Sequence, residues 1–497
     1  MKKISLLLMG LFLVVACTHE EAQLTEQDSS TDQKLLSVTE VNAFIKTQLT
    51  ETGDVDWTHA PSNVLYSAIM HGDGILSLGY GQPEEYFSEK RSDRLIQARE
   101  NAIAVAMDNE GTTDKKEILL QQDPLFNVVE LKISQLSTIE ELQSTAGIRY
   151  LEPIGYAQFK DPDLAFQKSS SGCDQSGQSI NSADYTVISP NAWRPWNYDL
   201  HNIDDAWAYS TGAGITVGLI DTGISANQPL LGSRFNDGAS NGRSIQKHGT
   251  FIDSSWWWSN NLDGPNDRCG HGTTMASAIA SPRNDEAMPV GVAYNSNMVA
   301  FRGTEDVLLD DYHERKGVSD ALRQLGDRSD VRVISMSIGY LWSIGNIKDA
   351  VKYAYSRNKL IIAAGGTSTT FTNWYGVIFP ASMSETVAVT GVKDNGYNRC
   401  DICHEGDAID FTIVMQRASD ASRTVPTLGF NAGDRKYVGG SSVATATTAG
   451  IAALVWSRHP NWSRSQVLEK LKQSSEFYPY RNSNFGYGNI DALQAVQ

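Results

Sequence analysis

The chain has 497 residues, 41% of them hydrophobic and 20% charged, which is a globular composition with apolar content enough for two or three domains. Its 58 acidic residues outnumber 41 basic ones. The resulting net charge of −17 leaves no basic surplus to displace counterions from phosphates, which excludes nucleic acid as the main partner.

In chain order, Lys2 and Lys3 precede an apolar stretch over residues 4–15 that is too short to cross a bilayer with ease, and Ala16-Cys17 offers a small-residue cleavage point. Residues 17–34 are a polar tether with too few apolar side chains to fold. An amphipathic helix is predicted over 37–49, with Val38, Val41, Phe44, Ile45 and Leu49 on one face. Next come a strand at 75–80, a helix at 89–107, strands at 118–121 and 126–133, a helix at 138–145 and a strand at 148–152. That βαββαβ order predicts a small α+β, ferredoxin-like unit within residues 35–157. Residues 158–192 form a linker that contains Ser169-Ser170-Ser171-Gly172, exposed chain of the kind that is readily processed. From residue 193 to 497, strands at 216–221, 298–302, 331–338, 360–364 and 386–392 alternate with helices such as 318–325 and 347–358. Such alternation predicts a parallel sheet flanked by helices.

Three stretches of this last region carry chemistry: Gly218-Leu219-Ile220-Asp221-Thr222-Gly223, Gly270-His271-Gly272-Thr273-Thr274-Met275-Ala276 and Gly440-Ser441-Ser442-Val443-Ala444. Asp221 ends an apolar run that reads as a buried strand, and His271 and Ser442 open small-residue helices. An acid, a base and a nucleophile are thereby offered together. A serine hydroxyl needs an imidazole to take its proton, and a buried carboxylate must hold that imidazole in one tautomer. Taken alone, Asp221 would more often be a turn cap before Thr222-Gly223, and the other motifs reverse that; His248-Gly249-Thr250 is a second His-Gly-Thr, read as a loop histidine because no small-residue helix follows it.

With the cysteine Cys17 set aside, Cys173, Cys269, Cys400 and Cys403 allow three disulfide pairings. One of them, Cys173 with Cys269 and Cys400 with Cys403, ties the linker to the segment before His271 and staples a loop. Cys400-Asp-Ile-Cys403-His404 also has the pattern of a haem-attachment or zinc half-site, but one such pair without further ligands is poor evidence for either. Trp256-Trp257-Trp258, in an apparent insertion, reads as a small local core or as an exposed gripping patch.

The order Asp, His, Ser and the flanks of the three motifs resemble the subtilisin-like serine proteases from about Trp193 to the C-terminus, including Gly486-Tyr487-Gly488-Asn489-Ile490-Asp491 near the end. The resemblance implies a peptidase in which Ser442 attacks, His271 is base and then acid, and Asp221 orients His271. It also implies an extended peptide substrate laid against Ser337, Ile338 and Gly339, with Ala363, Ala364 and Gly365 as the opposite wall of an apolar pocket. Val443 and Ala446 stand where the family usually has methionine and proline. The oxyanion hole would use the Ser442 backbone N–H and an asparagine, and Gly366 is read at the asparagine's position, so the side-chain donor is missing unless Thr367 or Asn373 replaces it. That departure motivates the alternative of a degenerate subtilase that binds peptides or a partner with little turnover, or a slow processing enzyme for one dedicated partner.

Leu13-Val14-Val15-Ala16-Cys17 resembles the bacterial lipoprotein signal. Acylated Cys17 would hold an exported protein at a membrane of the cell envelope, and Thr18 favours the outer membrane of a Gram-negative cell. Residues 127–133 and 148–153 resemble the inhibitory propeptide of the family. No cofactor is implied as a requirement; calcium is implied as a structural ion, with no ligands assigned.

Overall fold

A computed structural model describes residues 35–158, 172–367 and 376–497; Cys17 with its tether, the serine run 169–171 and Asn373 lie outside the described residues. Helix α1 (Val38–Thr52) starts at a capping box in which Ser37 and Glu40 each satisfy the other's backbone donor, and it buries Val41, Ile45 and Leu49 at four-residue spacing. Helix α2 (Ser62–His71), which the sequence pattern did not announce, packs beside it. Then follow β1 (Ile75–Tyr80), α3 (Asp93–Glu110), β2 (Leu119–Gln122), β3 (Val128–Lys132), α4 (Leu136–Ser144) and β4 (Ile148–Glu152). The four strands form one sheet in the order β2-β3-β1-β4 with every pairing antiparallel, and Leu78 of β1 sits between Val129 and Leu151.

The larger part is built on a seven-stranded, all-parallel sheet. Its strands are β5 (Thr216–Asp221), β6 (Ile245–Gly249), β7 (Asn297–Arg302), β8 (Val331–Met336), β9 (Leu360–Ala364), β10 (Thr386–Lys393) and β11 (Phe411–Gln416). They lie in the order β11-β10-β9-β8-β5-β7-β6. Because alternate residues face opposite sides, Val217, Leu219, Val333 and Ile362 enter one core, while Ile220, Ile334, Met336 and Ile361 enter the other. The first core is closed by α5 (His271–Ala280) and α8 (Gly440–Arg458). Helix α8 is buried nearly all round and so uses small residues; a Cβ on Gly450 would lie 2.5 Å from Val292 Cβ. The second core holds α6 (Tyr312–Asp327) and α7 (Gly345–Ser356), and it is continuous with the apolar interior of residues 35–158.

Expected and observed strands at 75–80, 148–152, 216–221 and 360–364 coincide. Strand β6 had no clear apolar signal of its own, whereas β11, with Phe411, Ile413, Val414 and Met415, carried one that the sequence reading passed over. His248 is therefore not in a loop: it lies on edge strand β6, with its ring stacked on Phe301. A hairpin between Val425–Leu428 (β12) and Arg435–Val438 (β13) leads into α8. The disulfides are Cys173–Cys269 and Cys400–Cys403.

Charged residues of the N-terminal region grip α6 and α7 near their starts. Arg149 makes a bidentate, buried pair with Asp349 at 3.0 and 2.7 Å. Glu152 accepts the N–H of Gly345 at 2.7 Å, Asp54 accepts from the N–H and hydroxyl of Ser343, and Glu130 takes the Tyr312 hydroxyl and pairs with Lys316 at 3.1 Å. A carboxylate at Gly345, the first residue of α7, also meets the positive end of the helix dipole.

Burial pushes Glu152 up to about 7, helped by the charge of Asp54 and opposed by the Gly345 N–H, Lys348 and Arg315. A carboxyl raised in the packed state binds its proton more tightly there than when released. Packing is thus favoured most below the ordinary value of 4.5 and loses that contribution, roughly 3 kcal/mol, as pH rises through about 7. Hydrogen exchange at the first turn of α7 should accelerate between pH 5 and 8 in the native chain. In Glu152→Gln, which keeps an acceptor without the charge, the acceleration should be largely abolished.

Candidate active site

Asp221 closes β5, which has β7 and β8 as its parallel neighbours, and its side chain is fully buried. Its Oδ1 accepts from the Thr222 N–H and from His271 Nδ1, each at 2.8 Å. With Nδ1 donating to the carboxylate, Nε2 is left as the acceptor that a general base needs.

Two glycines let the acid and base segments meet. A Cβ on Gly272 would lie 2.2 Å from Gly223 O, and Gly270 has φ 98° with Asp174 O 2.7 Å from where its Cβ would stand. The turn before α5 is fixed by Asp267, whose buried carboxylate accepts from Thr222 Oγ1, Cys269 N, Gly270 N, Thr273 N and Thr273 Oγ1. Sequence reasoning missed Asp267; the signal was an Asx-turn residue three positions before Gly270.

Burial pulls the His271 imidazole down. The charge of Asp221 and its hydrogen bond, with further help from Asp267 and Asp306, outweigh that, so His271 titrates above its ordinary value of 6.5.

Ser442 is the third residue of α8, so its N–H is one of the four a helix leaves without an internal partner. It lines a cavity of about 440 Å³ together with His271, Ser337, Ile338, Ala364 and Thr367. Its carbonyl accepts the Ser337 hydroxyl at 2.9 Å. Neighbouring Ser441 is 1% exposed, and its Oγ is engaged by the Gly366 N–H at 3.1 Å and by Thr367 Oγ1 at 3.2 Å.

Several expected wall residues are placed differently. Ala364 and Gly366 line the cavity, but Ala363 packs with Ile409 and a Cβ on Gly365 would meet Ile409 Cδ1 at 2.6 Å, because β9 alternates its faces. Their place is taken by Ile378 and Ile402, the latter carried by the Cys400–Cys403 loop, so these walls are apolar. Gly339 lines the cavity, yet its N–H donates to Val307 O and its carbonyl accepts from Leu309 N. A peptide strand could pair there only by displacing them.

At Gly366 φ is 127° and a Cβ would stand 2.4 Å from His404 Nδ1, so a side chain at this position would run into a buried imidazole rather than into the cleft. The residue in the cleft is Thr367. Trp257 packs with Ile75 and Ile154 of the N-terminal region, whereas Trp256 and Trp258 are more than half exposed, so the tryptophan triplet is partly core and partly surface.

The linker is also anchored. Gly172, Cys173 and Asp174 line the cavity beside His271, Asp174 pairs with Lys436 at 2.8 Å, and Gln178 N donates to Arg435 O on β13. Among the described residues no group of three His, Cys, Asp or Glu side chains is placed to hold a metal ion.

The profile described as "Subtilase family" matches residues 212–488, more than half of the chain and all three motifs. The chain belongs to the subtilase family. It is 26% identical over 302 residues to a subtilisin of Bacillus sp. (strain TA39), covering 58% of this chain and 67% of that one. Alkaline elastase YaB of Bacillus sp. (strain YaB) is 29% identical over 289 residues, covering 58% and 66%. Thermitase of Thermoactinomyces vulgaris is 25% identical over 295 residues, covering 59% and 92%. With the buried Asp221–His271 pair, this makes the protein a subtilisin-like serine endopeptidase.

A general base works only when neutral. Since the paired carboxylate raises His271, the subtilase's kcat/KM should climb with pH through an apparent value above 6.5. Asp221→Asn removes the charge that raises it, so the midpoint should move down and kcat should drop by about 10⁴-fold, as it does when the equivalent acid is amidated in another serine protease. A pH–rate profile of the two proteins checks both.

Proposed function

We propose that Ser442 is the nucleophile of a membrane-anchored endopeptidase made as a precursor, with residues 35–158 as its inhibitory domain. The choice of Ser442 over Ser441 is carried by one observation. Both serines border the cavity that His271 lines, but Ser441 is 1% exposed with its hydroxyl bonded to Gly366 and Thr367, whereas Ser442 is only half-buried.

In the proposed reaction Ser442 Oγ attacks the scissile carbonyl carbon and its proton passes to His271 Nε2. The carbonyl π electrons move to oxygen, and the imidazolium then protonates the leaving amine. Water, deprotonated by His271, attacks the acyl carbon; the bond to Ser442 Oγ breaks, and His271 returns the proton to Oγ. Asp221 holds the imidazolium throughout. The pocket walls Ile338, Ala364, Ile378 and Ile402 favour a large apolar side chain on the residue before the cut.

Three features support an inhibitory role for residues 35–158. The βαββαβ sheet leans on α6 and α7, those helices share one apolar core with residues 35–158, and beyond this domain Gly172 stands beside His271. The lipoprotein-like sequence ending at Cys17 supports export and attachment to the cell envelope, with the anchor on the N-terminal side of the inhibitory domain. Processing in the linker would then leave the lipid on that domain.

Ser442→Ala should abolish peptide hydrolysis and labelling by a fluorophosphonate, whereas Ser441→Ala should still be labelled at Ser442; labelling that follows Ser441 instead would overturn the assignment. Fractionation of cells should give an active catalytic fragment lacking the lipid. Activity confined to a full-length, membrane-bound species would sink the precursor reading.

A further inference from the structure

The hydroxyls around Ser441 settle which way a proton points, and this bears on how the cleft would hold the negative charge that forms in it. The Gly366 N–H can only donate, so at 3.1 Å it uses a lone pair of Ser441 Oγ. Ser441 is 1% exposed although it borders the cavity, and its own hydroxyl hydrogen has Thr367 Oγ1 at 3.2 Å as its only hydrogen-bonded acceptor among the described residues. A buried hydroxyl left without an acceptor is costly, so Ser441 donates and Thr367 accepts. Thr367 Oγ1 thereby keeps its hydrogen free. Thr367 is exposed and lines the cavity that Ser442 lines, and its hydroxyl lies over the first turn of α8, 2.8 Å from where a Cβ of Gly440 would stand. Two residues further on is the unpartnered N–H of Ser442.

We propose that the Thr367 hydroxyl is the side-chain donor of the oxyanion hole, acting with the Ser442 N–H, and that Ser441 is the positioning residue that turns the Thr367 hydrogen toward the cleft. This rests on Ser442 being the nucleophile. When Ser442 Oγ bonds to the carbonyl carbon, the displaced π pair makes an oxyanion. Thr367 stabilises that charge by a hydrogen bond, with no proton transferred. The mainchain of Thr367 is braced for the task. His404 N donates to Gly366 O at 3.0 Å and Thr367 pairs with Cys403 in an isolated bridge, so the Cys400–Cys403 loop supports the segment from behind.

The test compares Thr367→Val, Thr367→Ser and Ser441→Ala in the processed enzyme by steady-state kinetics on one apolar chromogenic peptide, with the fraction of Ser442 labelled at completion by a fluorophosphonate as an active-site count. Thr367→Val should lose on the order of 10²-fold in kcat, the size seen when an oxyanion-hole donor is removed from a related protease, with KM changed less than about threefold. Thr367→Ser should retain most of the activity. Ser441→Ala should give an intermediate loss in kcat alone, because the Thr367 hydroxyl is present but unaimed. Should valine disturb the fold, Thr367→Ala against Thr367→Ser carries the same comparison. A kcat for Thr367→Val within threefold of the native value overturns the proposal, as does a Thr367→Ser variant as slow as Thr367→Val. Label mapping to a residue other than Ser442 would instead indict the nucleophile assignment.

Discussion

The 2.8 Å bond between His271 and Asp221 depends on two backbones touching. Helix α5 can approach the end of β5 only because neither Gly272 nor Gly223 brings a side chain to the contact, and any Cβ on Gly272 would overlap the Gly223 carbonyl. Close contact alone would leave the turn before His271 with unpaired donors in a dry place. Asp267 absorbs them, its two oxygens taking three backbone N–H groups and two threonine hydroxyls. One of those hydroxyls belongs to Thr222, whose Oγ1 in turn accepts the Gly272 N–H. The acid, the turn and the base helix thus form one hydrogen-bonded unit, and the imidazole has little freedom to swing away from the carboxylate. Rigid placement matters because a misdirected base costs far more in rate than the bond itself is worth in stability.

The N-terminal region and the catalytic sheet are tied by a different balance. The apolar interior of residues 35–158 and the core around α6 and α7 are one, so separating them would expose Trp57, Trp342 and Tyr340, which meet edge to face. Around that apolar centre sit ionised groups whose burial is only conditionally favourable. Arg149 with Asp349 is a matched pair, and removing either partner would strand a charge. Glu152 has a single N–H and a helix terminus to compensate its burial. Apolar area therefore gives the interface its strength, and the carboxylates give it sensitivity to pH and to the exact seating of α7.

Much of the site was legible because it is local. Asp221 and His271, which the structure pairs, and Ser442, the proposed nucleophile, each carry their identifying neighbours within a few residues, and the strands at 216–221 and 360–364 are short apolar runs bounded by turn residues. What escaped the sequence is what depends on the third dimension. Strand β6 contains Gln246, Lys247 and His248, polar residues tolerated because it is an edge, and so it read as loop. Helix α2 is too short for its period to stand out. Gly365 looked like a wall of the pocket because its neighbour Ala364 is one; strand alternation turns it away, toward Ile409. Ile402 could not be assigned to the cleft from a position between two cysteines.

The same alternation explains why two glycines stand at the end of β9. Gly365 must clear Ile409, and Gly366 must clear His404, whose Nδ1 bonds Gly376 O at 2.8 Å and whose imidazole burial drives down to about 4. A ring that stays neutral at any ordinary pH can be packed under the cleft floor without placing a positive charge there to compete with His271 for the field of Asp221. That packing occupies the space a side chain at Gly366 would need. The first position beyond β9 that can carry a functional group toward Ser442 is consequently Thr367, and a short hydroxyl at that point reaches the N-terminal turn of α8 because Gly440, with φ 76°, lets the two backbones come together. The buried histidine, the paired glycines and the threonine are therefore one packing solution: each is acceptable only with the others in place.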